Sequence, residues 1–330
     1  MRRLRLLTMP ALLLALTAMS ACSVSSTPGG STAGADQKAD GAITIGFSQA
    51  TQQSPFYVQL REGAEAAAKK AGATLHFADA DGDVTKQNND IQDLITRQVD
   101  ILLINPVDPQ GVQPSLAAAK AAGVSVVTVD RPVAEGAVAH VGRDNKAMGE
   151  LVGKRLSEKL GAEGGTVIEI RGDAGGAVAR DRSAGFHEAV EANPKIKIIE
   201  GPYSDYVRAK AVTAMQDLLQ VHPDVAAVYA HNDDMALGAL QVLTENGKDK
   251  VLVAGVDGLM EAVKQIADGD RYVATALNDP ISLGATAVET VLKVQKGEQV
   301  EPSVDAGTAL IDGENAAKYS GETEFAQTLP

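Results

Sequence analysis

The sequence predicts an α/β protein made of two doubly wound, mostly parallel sheets, and three observations lead there. From residue 43 onward, short apolar runs alternate with longer segments of helical periodicity. Two stretches of chain repeat one order of elements. A length of 330 residues, 45% hydrophobic and 22% charged, is ordinary globular composition with room for about two domains. The runs at 43–47, 75–78, 101–104, 124–129, 167–170, 196–199, 225–229, 251–256 and 272–276 read as strands, being short and rich in Val, Ile and Leu. Between them, 56–71, 86–97, 110–122, 147–160, 209–221, 235–246 and 285–295 read as helices. Strand and helix in turn imply right-handed crossovers and sheets covered on both faces. The repeated order is Asp100, strand, Asp108, helix, Gly123, strand, Asp130, echoed by Asp224, strand, Asp233, helix, Gly247, strand, Asp257. Duplication and shared α/β grammar both account for the echo, and either supports two similar lobes.

The first forty residues stand apart. Arg2, Arg3 and Arg5 precede an uncharged run from 6 to 18, too short to span a membrane comfortably and in the order of a secretory signal. Met19-Ser20-Ala21-Cys22 follows and resembles the lipobox of bacterial lipoproteins, with Met19 where Leu is usual. That resemblance implies cleavage after residue 21 and lipidation of Cys22. Residues 22–41, rich in Ser, Thr, Gly and Ala, read as a flexible tether. Cys22 is the only cysteine, so the chain can form no internal disulfide, Cys-based zinc site or CxxC redox pair. Loss of residues 1–21 removes three arginines and takes the formal charge from −13 to −16. So acidic a chain is no general nucleic-acid binder.

In open parallel sheets, ligands bind beyond the carboxyl ends of the strands. The residues expected there are Ser48 and Gln49, then Ser54 with Phe56 and Tyr57, Asn105, Asp130-Arg131, a loop carrying Arg180 and Arg182, Tyr206, His231-Asn232, Asp257 and Asn278. Carboxylate, guanidinium and amide groups together suit an uncharged polyhydroxylated ligand, whose hydroxyls both donate and accept. Aromatic faces cover the C–H patches of a sugar ring. The chain holds only five Phe, six Tyr and no Trp, so Phe56, Tyr57 and Tyr206 at strand ends carry weight. Taken singly, each has a plainer reading: Asp130-Arg131 as a cap with a surface ion pair, Phe56 and Tyr57 as core, Arg182 as a solvated helix face, and Asp233 as structural. Their joint occurrence at corresponding strand ends favours a site.

These residues bring out a resemblance to the ribose-type periplasmic sugar-binding proteins, covering 43 to about 304. It rests on Ser54-Pro55-Phe56-Tyr57, Asn105-Pro106, Val129-Asp130-Arg131, Asp144-Asn145, Ala179-Arg180-Asp181-Arg182, Gly185-Phe186, Asn232-Asp233-Asp234-Met235, Val256-Asp257-Gly258 and Lys296-Gly297-Glu298. The resemblance implies two doubly wound lobes joined by a three-segment hinge, the periplasmic-binding-protein type I fold. It implies a first lobe of 42–143 plus 279–305, a second of 144–278 plus 306–330, and crossings near 143–145, 277–279 and 305–308. It implies that Asp130, Arg131, Arg182, Asn232, Asp257 and Asn278 bind sugar hydroxyls while Phe56, Tyr57 and Tyr206 sandwich the ring. Ser54 in place of Asn, Val256 in place of Phe and Asn278 in place of Gln depart from the ribose pattern, and Gly46-Phe47-Ser48-Gln49 is similar to the galactofuranose branch.

The implied activity is capture of a monosaccharide by a lipid-anchored, monomeric receptor outside the cytoplasm, and delivery to an ABC permease. No cofactor or metal is expected. A sugar sensor for chemotaxis or signalling would use the same binding chemistry. HExxH, GxSxG, P-loop and GxGxxG motifs are absent, which argues against an enzyme, and a glycosidase using Asp130 and Asp257 as its carboxylate pair is the enzyme reading that stays open. A repressor would need a helix-turn-helix where the signal and tether stand. Asp79, Asp81 and Asp83 read as a polar turn and helix cap, since the glycine of a calcium loop is missing.

Overall fold

A computed structural model describes residues 42–319 and 322–327; the signal, Cys22 and the tether lie outside the described residues. The chain runs β1 (Thr44–Gln49), α1 (Pro55–Lys70), β2 (Thr74–Asp79), α2 (Val84–Thr96), β3 (Ile101–Ile104), α3 (Gln113–Ala121), β4 (Ser125–Val129), β5 (Ala139–Gly142) and α4 (Asn145–Leu160). It continues β6 (Gly165–Arg171), α5 (Ala177–Val190), β7 (Ile196–Tyr203), α6 (Arg208–Val221), β8 (Ala227–Ala230), α7 (Asp233–Glu245), β9 (Leu252–Asp257), α8 (Met260–Asp268), β10 (Tyr272–Leu277), α9 (Pro280–Gln295), β11 (Ser303–Asp305) and β12 (Leu310–Asp312).

Two six-stranded sheets result, ordered β2-β1-β3-β4-β5-β11 and β7-β6-β8-β9-β10-β12. Position for position the orders match, so the echoed segments β3-α3-β4 and β8-α7-β9 occupy equivalent places. Every pairing is parallel except β10 with β12. The chain passes between sheets three times: from β5 into α4, which packs on the second sheet, from β10 into α9, which packs on the first, and from β11 to β12. Asp144 and Asp279 cap α4 and α9 at the first two crossings, accepting from Ala147 N–H and from Ile281 and Ser282 N–H.

The strand and helix expectations stand, with additions. The short strands β5, β11 and β12 carry too few apolar residues to stand out. Arg180 and Arg182, expected on a loop, lie in α5. Its buried face includes Arg182 and Gly185, and its N-cap Gly176 makes no side-chain cap, so neither the apolar stripe nor the start signal is visible. Asp83 caps α2, as the polar-turn reading expects.

Each lobe contains one helix pair in unusually close contact, and glycines permit both. A Cβ at Gly63 of α1 would collide with the Ile281 carbonyl of α9, and one at Gly284 with the Leu60 carbonyl. In the other lobe a Cβ at Gly149 of α4 would strike the Arg182 carbonyl of α5, and one at Gly185 the Lys146 carbonyl. The second pair fixes the height of α5 and therefore of Arg182. Gly185→Ala is expected to push α4 from α5 and cost about 1–3 kcal/mol in urea denaturation. Lys154→Ala on the solvent face of α4 should change stability by no more than about 0.5 kcal/mol.

Candidate ligand site between the lobes

The carboxyl ends of the two sheets enclose a small cavity walled by Ser54, Phe56, Tyr57 and Asp130 from one lobe and Val178, Arg182, Tyr206, Asn232 and Asp257 from the other, with Asn278 at a crossing. Nine of the fifteen residues expected at the strand ends are thereby brought together. Val178, in the first turn of α5, completes the wall, and nothing in its sequence context marks it.

Asp130 and Asp257 end the equivalent strands β4 and β9, and both have positive φ, 64° and 122°. Non-glycine residues rarely adopt such angles, and the strain persists only where the surroundings over-determine it. The surroundings of Asp130 are Asn105, whose amide donates to Oδ2 at 3.1 Å and to the Val129 carbonyl. Those of Asp257 begin with Asp233. It lies beneath the strand end and accepts from Tyr272 Oη, Thr275 Oγ1 and Leu259 N–H. Burial pushes Asp233 up to about 8, against those three hydrogen bonds. Its structural role matches the plainer sequence reading.

Asp257 belongs to a closed ring of polar contacts. Its Oδ1 accepts from Asn278 Nδ2 at 2.9 Å and lies 3.5 Å from Arg182 Nη2. Arg182 Nε donates to Asn145 Oδ1, Asn145 Nδ2 to the Arg143 carbonyl, and Arg143 Nη1 back to Asn278 Oδ1. Arg143 also donates from Nε to the Gly307 carbonyl at 2.6 Å and from Nη2 to Ser282 Oγ at 2.9 Å. One guanidinium thus ties all three crossings together. The sequence placed a crossing at Arg143 but gave its side chain no role.

Burial pushes the Asp257 carboxyl up to about 6, with Arg182 and Asn278 pulling the other way. Asp130 is likewise raised by burial, against Arg131, Arg182 and Asn105. Below Arg182, whose Nη1 donates to the His231 carbonyl, Glu169 bridges His231 and His187, each at 2.8 Å. Burial opposes the Glu169 charge, but the two imidazole hydrogen bonds hold its carboxyl below the ordinary range. Asn232 spends its amide on the fold, accepting from Met235 N–H and donating to the Tyr206 carbonyl.

Six expected residues do not line this cavity: Asn105, Arg180 and His231, and also Ser48, Gln49 and Arg131. Ser48 accepts from Gln87 Nε2, one layer back. Gln49 donates to the Thr51 and Tyr57 carbonyls and so supports the backbone that carries Tyr57. Arg131 is drawn aside: Nη2 donates to Tyr57 Oη at 2.7 Å, Nη1 to the Pro106 and Val107 carbonyls, and Nη1 lies 3.3 Å from Asp173 Oδ2 in the other lobe. The hydroxyl that distinguishes Tyr57 from Phe accounts for part of this capture.

Fold and site together define a two-lobed protein that closes around a small polar ligand. The model of the periplasmic binding protein domain matches residues 45–299. The chain belongs to that family, one of binding proteins and not of enzymes. It is 40% identical over 269 residues to the ribose import binding protein of Bacillus subtilis, covering 81% of this chain and 87% of that one. A solved ABC transporter solute binding protein from Mycobacterium smegmatis, with bound glycerol, is 65% identical with a TM-score of 0.86, covering 87% of this chain and all of that one. A solved galactofuranose binding protein is 30% identical with a TM-score of 0.80, covering 84% and 96%.

Removing the Arg143 guanidinium leaves three acceptors on the other two crossings without their donor. Arg143→Ala is expected to lower stability by about 3 kcal/mol in urea denaturation. Arg143→Lys, which keeps the charge but loses the fork, should fall between the two.

Proposed function

We propose that this protein is an extracytoplasmic solute receptor that closes its lobes on one monosaccharide and presents the closed form to an ABC permease. The observation that carries the reading is the pair of strained carboxylates, Asp130 and Asp257, at equivalent strand ends on opposite walls of one small cavity. Hydroxyls can donate to both at once, and a ligand favours closure only by touching both lobes. Both Asp257 contacts fall on Oδ1, so Oδ2 is the oxygen left for a sugar hydroxyl. Phe56, Tyr57 and Tyr206 supply the ring-covering faces. Relatives named for ribose and galactofuranose, and a neighbour holding glycerol, support a polyhydroxylated ligand.

The lobes, 42–143 plus 279–305 and 144–278 plus 306–330, would move as rigid bodies about the three crossings. The receptor would act as a monomer, held to the envelope by lipid on Cys22 and needing no cofactor or metal. No helix among the described residues is long and apolar enough to cross a membrane. If Cys22 is the anchor, Cys22→Ser should move the protein from the membrane fraction to the soluble fraction.

Titration of the purified full chain with D-ribose, D-allose, D-galactose and L-arabinose, read by calorimetry and thermal shift, should show binding of at least one. Heat and melting temperature unchanged by all four would count decisively against the sugar reading. Asp257 must be ionised to accept from two groups, and its raised value makes affinity fall as pH drops through about 6. Asp257→Asn should bind at least about tenfold more weakly, with that acid-side decline removed.

A further inference from the structure

Four polar side chains beside the cavity have hydrogen-bonding capacity that the protein leaves unused. Tyr206 is only 5% exposed and lines the cavity, yet its hydroxyl has no partner. Asp173 Oδ1 and Arg131 Nε are also buried without a hydrogen bond, Nε lying 3.8 Å from Asp130 Oδ2, although Asp173 Oδ2 and the other two Arg131 nitrogens are engaged. Tyr57 Oη, held by Arg131, is the fourth member. Unmet buried groups of this kind are destabilising, so three in one place need a reason.

Their placement supplies one. A Cβ at Gly172 would collide with Cζ and Oη of Tyr206, so the phenol end lies directly over Gly172, next in sequence to Asp173. Tyr206 itself sits at φ 61°, which holds the ring in that place. Arg131 and Asp173 line an adjoining cleft, and Ser54 and Tyr57 line both spaces. The cluster therefore stands where the cavity opens into the cleft, with Tyr57 and Arg131 contributed by one lobe and Asp173 and Tyr206 by the other.

We propose that this cluster is a specificity subsite for a hydroxyl on an arm projecting from the sugar ring. The inference rests on the sugar reading above and adds to it the kind of sugar. A hydroxyl fits because it donates to Asp173 Oδ1 while accepting from Arg131 Nε or Tyr206 Oη. A carboxylate arm would face Asp173, and an ammonium arm would face Arg131. The preferred ligand is thus a sugar whose ring carries a hydroxyl-bearing carbon, and a ring lacking that hydroxyl leaves the cluster unsatisfied.

Calorimetry on the full chain with D-galactose against D-fucose, its 6-deoxy form, and D-allose against 6-deoxy-D-allose tests this. In at least one pair the hydroxylated sugar should bind at least about tenfold more tightly. Tyr206→Phe and Asp173→Asn should each shrink that gap at least about fivefold. Equal affinity within both pairs, or variants that weaken both members alike, would mean that the cluster holds only water and overturn the subsite. Binding of D-ribose in its pyranose form, which carries no arm, without any of the hexoses would also overturn it while leaving the sugar reading intact. Binding of no sugar at all would remove both.

Discussion

The contact on which most of this architecture depends is the guanidinium of Arg143 laid across the three crossings. A two-lobed protein whose chain passes three times between lobes has three short segments with little sheet or helix of their own to hold them. Arg143 is a planar donor fork, and it spends Nε on Gly307, Nη1 on Asn278 and Nη2 on Ser282. It is only 8% exposed, so water offers those acceptors little substitute. Because Asn278 passes the contact on to Asp257, and Asn145 returns it from Arg182 to the Arg143 backbone, hinge and ligand wall form one hydrogen-bonded ring. Rotation at the crossings therefore bears directly on Asp257 and Arg182.

The near-duplicate order of the two sheets explains why this ring can exist. β5 and β10 occupy equivalent positions, each followed by a crossing, an Asp cap and a long helix. Arg143 and Asn278 are thus equivalent residues that meet across the lobe boundary. The same equivalence sets Asp130 and Asp257 facing one cavity. The helix pairs α1/α9 and α4/α5 repeat the relation through glycine contacts, so the helix after each of the first two crossings is locked to the lobe it enters.

Much of this was legible in sequence because it is local. A strand followed by a polar residue and a helix marks a strand end wherever it occurs, and that rule found Asp130, Asn232, Asp257 and Asn278 without any knowledge of which strands pair. The shortfalls are long-range. Arg143 meets Gly307 across 164 positions, and no local pattern announces that. Arg131 was read correctly as a strand-end guanidinium, but its capture depends on Tyr57, 74 residues earlier, and on Asp173 in the other lobe. Ser48 and Gln49 were given the face of the strand end that looks into the cavity, whereas their side chains bind Gln87 and the Thr51 and Tyr57 backbone. Arg182 was found for the right reason in the wrong element, since its helix buries an arginine and a glycine where an apolar stripe would have shown.

The energetics of the closed cavity bear on why a neutral ligand should control it. Asp130 and Asp257 are both about nine-tenths buried or more, and burial raises both carboxyls toward protonation despite the cations beside them. Two incompletely partnered carboxylates in a space from which water is largely excluded penalise closure, and opening returns them to solvent. A polyhydroxylated neutral ligand offsets the penalty by bringing several donors without adding charge. An anion would deepen the repulsion, and a cation would compete with Arg182 for the same oxygens. The fold thus ties lobe closure to ligand class: what the strained strand ends and buried carboxylates lose on closing empty is what a hydroxyl-rich molecule restores, and this difference is the free energy a two-state hinge can use.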